Sequence, residues 1–135
     1  MIKFTTNLYA LDKPNANKRI YGDAFSNINS QELFPIFSSE EPLMENLLGQ
    51  ARIYSCGDSI EIETIPFCNN WRQEKQLKIL GEAFSKGNFA MMPYGHGELI
   101  YDPNKNCYIV KDYRLDHFYI TNQPAFKYES KMELV

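Results

Sequence analysis

The chain holds only two histidines and three cysteines in 135 residues, and that scarcity excludes several kinds of chemistry at once. Cys56, Cys68 and Cys107 are odd in number, widely spaced and contain no C-x-x-C pair, so neither a complete disulfide framework nor a zinc ribbon is indicated. Reduced cysteines are expected. His96 and His117 lie too far from them for the ligand spacing of about two to four residues in a zinc knuckle, and the sequence implies no metal and no cofactor. Charge of one sign is scarce too. Fourteen Lys and Arg against 17 Asp and Glu give a net charge of -3 with the signs intermixed. Without a basic block to neutralise a run of phosphates, nucleic acid is not an expected partner. Long hydrophobic runs are also missing: no segment approaches the ~18 apolar residues of a membrane span. The first residues alternate instead of forming the apolar stretch of a signal peptide. Folding in a cytoplasm with no membrane partner is the expectation.

What is present is apolar and aromatic material, 44% hydrophobic with nine Tyr and nine Phe, enough for one domain around one core. Ile2, Phe4, Thr6, Leu8 and Ala10 share one parity and Lys3, Thr5, Asn7 and Tyr9 the other, the period-two pattern of a half-buried strand. Residues 12–17, DKPNAN, stack turn formers into a surface loop. Residues 22–25 offer no more than a helical turn, with Asp23 as its cap. From 27 to 42 the composition predicts an irregular excursion pinned by Leu33, Phe34, Ile36 and Phe37. Residues 52–55 and 59–67 flank Cys56-Gly57-Asp58 as a hairpin, with Ile60 and Ile62 inward, Glu61 and Glu63 outward, and a break at Ile65-Pro66. A helix is predicted over 73–84, where Leu77, Leu80 and Phe84 recur at helical spacing and Gly87 stands ready to end it. Strands over 88–101 and 107–121 form a further hairpin through the turn-prone DPNKN. Asp112, Arg114 and Asp116 interrupt the second of these and predict a bend. The terminal KYESKMELV reads as a loose or docking tail. The total is α+β, mainly antiparallel β, leaning to a small barrel with one main helix. The expected division is a single barrel domain over 1–126 and a C-terminal tail over 127–135.

No residue is assigned a catalytic, cofactor-binding or metal-binding role from these patterns. His96 between two glycines reads as structural, because Gly95 and Gly97 suit a bulge or a close backbone approach. His117 reads as a surface or sheet-face side chain unable to pair with Asp116, since neighbours in a strand face opposite ways. Glu40, Glu41, Glu61 and Glu63 read as solvated surface. Cys56 and Cys68 would need a nearby imidazole to act as nucleophiles, and buried inert cysteine is the commoner fate. Tyr9, Tyr21, Tyr54 and Tyr119 divide between core filling and the amphipathic contacts that interfaces favour.

Two segments carry a resemblance. Residues 9–21, YALDKPNANKRIY, resemble an opening strand followed by an N-x-N-G-R-I-Y-P element. Residues 87–97, GNFAMMPYGHG, and 112–126, DYRLDHFYITNQPAF, are similar to a G-V-S-S-R-G-x-G strand and a closing strand ending in D-x-V-x-x-P-S/A-F. Together they resemble the prohead (capsid maturation) proteases of tailed bacteriophages, which share a barrel with the herpesvirus assemblin protease. Superposing the motifs puts Met92 and Pro93 on the family's two serines. Neither can attack a carbonyl, and Pro93 also lacks an N–H for an oxyanion. The family's histidine, in a G-E-x-x-H-P context, has no counterpart in residues 34–50. Losing serine or histidine from such a unit costs on the order of 10⁶ in turnover, so the resemblance implies an assemblin-like fold without hydrolysis. The implied role is a non-enzymatic bacteriophage head protein, an auxiliary or decoration subunit in the virion capsid. Its expected partners are the major capsid protein, neighbouring head proteins and copies of itself. The alternatives are an active maturation peptidase, with Ser85, Ser55 or a cysteine as nucleophile and His96 or His117 as base, and a scaffold-associated core protein.

Overall fold

A computed structural model describes residues 2–67 and 70–135. In chain order it contains β1 (Ile2–Tyr9), β2 (Arg19–Ile20), β3 (Phe34–Phe37), a 3-10 turn (Met44–Asn46), β4 (Leu47–Cys56) and β5 (Ser59–Thr64). These are followed by α1 (Trp71–Ser85), β6 (Ala90–Asp102), β7 (Cys107–Thr121) and β8 (Lys127–Leu134). All eight strands belong to one sheet in the order β2-β7-β3-β4-β5-β1-β8, with β6 on β7. The fold is mainly β with one helix, and the sheet curls into a half-barrel. Because β6 runs antiparallel along the whole of β7, the short parallel strands β2 and β3 must share the opposite edge of β7. β6 and β8 are therefore the two ends of the curl.

The ends meet only at one corner. Thr6 Oγ1 accepts from the Met91 N–H at 3.0 Å and shares a 2.9 Å hydrogen bond with Ser130 Oγ, tying the start of β6 to β1 and β8. The helix packs on β8 and β1. Its N–H groups start on an Asn70 cap, whose side chain accepts from Gln73 N at 3.0 Å. It ends in a Schellman arrangement: Gly87 at φ 74 donates to Phe84 O at 2.9 Å and Asn88 donates to Ala83 O at 3.0 Å. Leu77, Gly81 and Phe84 face inward, and the Phe84 ring stacks on Phe4 with centroids 4.9 Å apart. Phe4, Leu8, Ile36, Ile53, Ile60, Ile62, Met91 and Phe118 form the centre of the core.

The alternating segments become the strands expected of them, and the β4–β5 loop turns at Gly57 with φ 62. Asn15 organises the polar loop, its Oδ1 accepting from Asn17 N at 2.9 Å and Arg19 N at 3.1 Å. Three expectations need correction. The irregular excursion contains β3, a strand lodged between β4 and β7. Pro35 disguises it, yet the β7 ladder starts only at Ile36, so the proline sits where β4 alone pairs with the strand. Leu33, expected as an anchor, is 44% exposed. Next, β4 begins at Leu47, five residues before the predicted hairpin arm. Finally, the supposed tail is β8, paired with β1 along its length from Ile2↔Leu134 to Tyr9↔Lys127. Residues 127–135 are thus mostly sheet, because Tyr128, Ser130, Met132 and Leu134 alternate with Lys127, Glu129, Lys131 and Glu133.

Candidate functional site

The strand that resembles the protease nucleophile strand is β6, and its two halves behave differently. From Ala90 to Pro93 every side chain is buried; from Tyr94 onward nearly all are exposed. Met92, 6% exposed, pairs with Tyr119, and Pro93 pairs with Phe118. Met92 and Pro93, which the resemblance would set against serines, are thus both buried.

The bend expected in β7 is present and has an identifiable origin. Tyr94↔His117 is followed by Gly95↔Leu115, and His96↔Arg114 by Glu98↔Lys111, so both extra residues lie on β7 and β6 stays extended. Asp112 takes φ 52 at the second bulge. The glycines around His96 serve the close approach foreseen for them: a Cβ on Gly95 would lie 2.2 Å from Arg114 O, and one on Gly97 3.0 Å from Lys111 O. Tyr113, packed on Tyr21 and Phe25, fills the space beside Gly95, and burial pushes its phenol well above the ordinary value of 10.0.

Where the regular register ends at Tyr94↔His117, one ring touches both histidines. Tyr94 stacks on His117 with centroids 4.8 Å apart and meets His96 edge-on at 5.6 Å, while Phe37 meets His117 edge-on at 5.3 Å. His117 is not a surface histidine; it is 5% exposed, and among the described residues its Nε2 has no hydrogen-bond partner. Its Nδ1 lies 3.6 Å from Asp116 Oδ1, although neighbouring residues of a regular strand diverge. Asp116 is the residue skipped by the register shift, which frees it from strict alternation. The i, i+2 spacing of Tyr94 and His96 is the sequence signal for half of this cluster. The His117 half depended on a register that sequence does not print.

The other flagged residues scatter. Cys56 is exposed on the β4–β5 hairpin, Cys107 is buried at the start of β7, and Cys68 lies outside the described residues. Ser55 sits on β4 and Ser85 ends α1; among the described residues neither serine, nor Cys56 or Cys107, hydrogen-bonds to either imidazole. Glu63 is engaged instead of simply solvated, 3.3 Å from Lys3 Nζ and accepting from Tyr54 at 2.9 Å. Tyr9 donates to Glu129 at 3.4 Å, Tyr21 packs against Phe25, Tyr113 and Phe126, and burial with the nearby Glu40 charge raises the Tyr119 phenol. Among the described residues no helix is long and apolar enough to cross a membrane.

An apolar recess lies between α1 and β4. It is a groove of about 570 Å³ lined by Leu47, Leu48, Phe67, Ile79, Leu80 and Phe89, with Ser38, Glu45 and Asn46 at its polar side. Ile79 is 62% exposed and Phe67 48%, so the helix leaves apolar surface facing solvent there. The arrangement can hold an apolar side chain. Comparison with protein-family models, with curated proteins and with solved structures finds no match to this chain.

Proposed function

We propose that the chain is a non-enzymatic auxiliary head protein of a tailed bacteriophage, an assemblin-like barrel that binds the major capsid protein. The observation that carries the reading is the burial of Met92 and Pro93, which stand where the resembling proteases hold their serines. A side chain packed against β7 inside the core cannot be presented to a substrate. The exposed apolar groove between α1 and β4 supplies what a binding role needs, a recess able to desolvate a partner's apolar residue. Folds outlast their sites, so a barrel that once recognised capsid precursors can be kept for recognition alone.

The experiment is co-sedimentation of the pure protein with assembled capsid lattice, beside incubation with unassembled capsid precursor. Pelleting that saturates at a fixed ratio to capsid subunits, with precursor left intact, is the expected result. Clean scission of the precursor by catalytic amounts of the chain would refute the proposal, and so would a lattice that leaves the protein in the supernatant.

A further inference from the structure

The outer half of β6 is a sheet edge built to be covered. From Gly95 to Asp102 the strand is paired on one side by β7, and among the described residues nothing pairs its other side. An open row of backbone donors and acceptors flanked by apolar side chains is a template for another strand. Leu99 and Tyr101 on one face and Ile100 on the other are 42%, 49% and 37% exposed, an apolar run that shares the edge with His96, Glu98 and Asp102. Because both bulges lie on β7, the free side of β6 remains straight enough to pair.

We propose that this edge joins a second copy of the chain, β6 to β6 in antiparallel register about a two-fold axis through Leu99. The symmetry itself restricts the choice. In a two-fold antiparallel pair the residues whose backbone groups point at the partner have the same parity in both copies, so the axis must pass through a residue. Centring on Glu98 opposes Glu98 with its own copy, and centring on Ile100 opposes Glu98 with Asp102; both place like charges directly across the seam. Centring on Leu99 removes the clash and, unlike centring on Gly97 or Tyr101, keeps the exposed Leu99–Tyr101 run in the middle of the seam. It sets Leu99 against Leu99, Glu98 against Ile100, and the His96 imidazole against the Asp102 carboxylate. It also lays the Tyr101 ring over Gly97, an aromatic covering a glycine edge. Each contact occurs twice. Pro103, which has no N–H, ends the seam.

Sedimentation velocity on the full chain tests this. A dimer is expected at about 100 µM. Leu99→Lys should weaken it at least about hundredfold, because the axis then brings two ammonium groups together, while circular dichroism stays unchanged at so exposed a position. Ile79→Lys, on the helix groove, should leave association as it was. In a chain carrying Cys56→Ser and Cys68→Ser, Leu99→Cys should crosslink between copies at least about tenfold faster than Tyr101→Cys, whose partner across the seam is a glycine. A wild-type chain that stays monomeric at that concentration, a Leu99→Lys dimer as tight as wild type, or equal crosslinking at 99 and 101 would each overturn the seam.

Discussion

The two ends of the curled sheet, β8 and the outer half of β6, face opposite problems with opposite surfaces. β8 carries Lys127, Glu129, Lys131 and Glu133 on its outward parity, with Lys131 and Glu133 paired at 2.9 Å, and α1 packs beside it. A second chain that tried to extend the sheet there would have to desolvate alternating charges. The outer β6 edge offers Glu98 among Leu99, Ile100 and Tyr101. The difference teaches that this molecule lines one strand edge with charge beside a helix and leaves on the other an exposed apolar run, Leu99 to Tyr101, between Glu98 and Asp102. That is the pattern of a monomer end and an association end.

The comparison can be broken most forcefully at Gly95. Gly95→Ala puts a methyl group 2.2 Å from the Arg114 carbonyl, in backbone that cannot swing aside as a side chain would. The expected loss is about 4 kcal/mol or more, read as the shift in a denaturant midpoint with the β6–β7 arm displaced. The arm would tolerate the change only if the bulge at Asp116 re-registered, which hydrogen exchange along β7 would reveal.

A smaller effect is expected where the two ends touch. Thr6→Val keeps the shape of a fully buried side chain but removes the oxygen that accepts from Met91 N–H and bonds Ser130. The orphaned groups should cost about 1–3 kcal/mol in a chemical melt. Ser130→Ala in the Thr6→Val background should then cost little more, because the two act through one hydroxyl.

The mildest prediction separates the ends by pH. The Tyr113 phenol is raised by burial, so the folded chain keeps its proton where the unfolded chain releases it. That contribution to stability is complete below pH 10.0 and is lost as pH rises from there through the folded value. Alkaline destabilisation should begin near the β6–β7 bulge, and Tyr113→Phe should flatten it. The slope remaining in that variant would measure what the other tyrosines add.

Several elements were readable because local pattern and tertiary environment agree. β1, the β4–β5 hairpin and α1 each set their apolar residues on one face against a continuous core, so period two or 3.6 survives in the residues even though Thr5 of β1 is also buried. β3 and β8 escaped for opposite reasons. Pro35 argues against a strand that is nonetheless held by neighbours on two sides, and the charges of β8 argue for solvent where only one face meets it. The His117 contacts escaped because its stack on Tyr94 depends on the β6–β7 register.

By itself the sequence determined the amount of apolar material, the turn positions and the side-chain periods, since each follows from steric and solvation preferences within a few residues. Only the tertiary structure decided which strand edges stay open, that Met92 and Pro93 lie in the core, and that Tyr94 joins His96 to His117. Those outcomes depend on register between strands distant in sequence. A shift of one residue exchanges inside for outside, and no local preference is strong enough to forbid it.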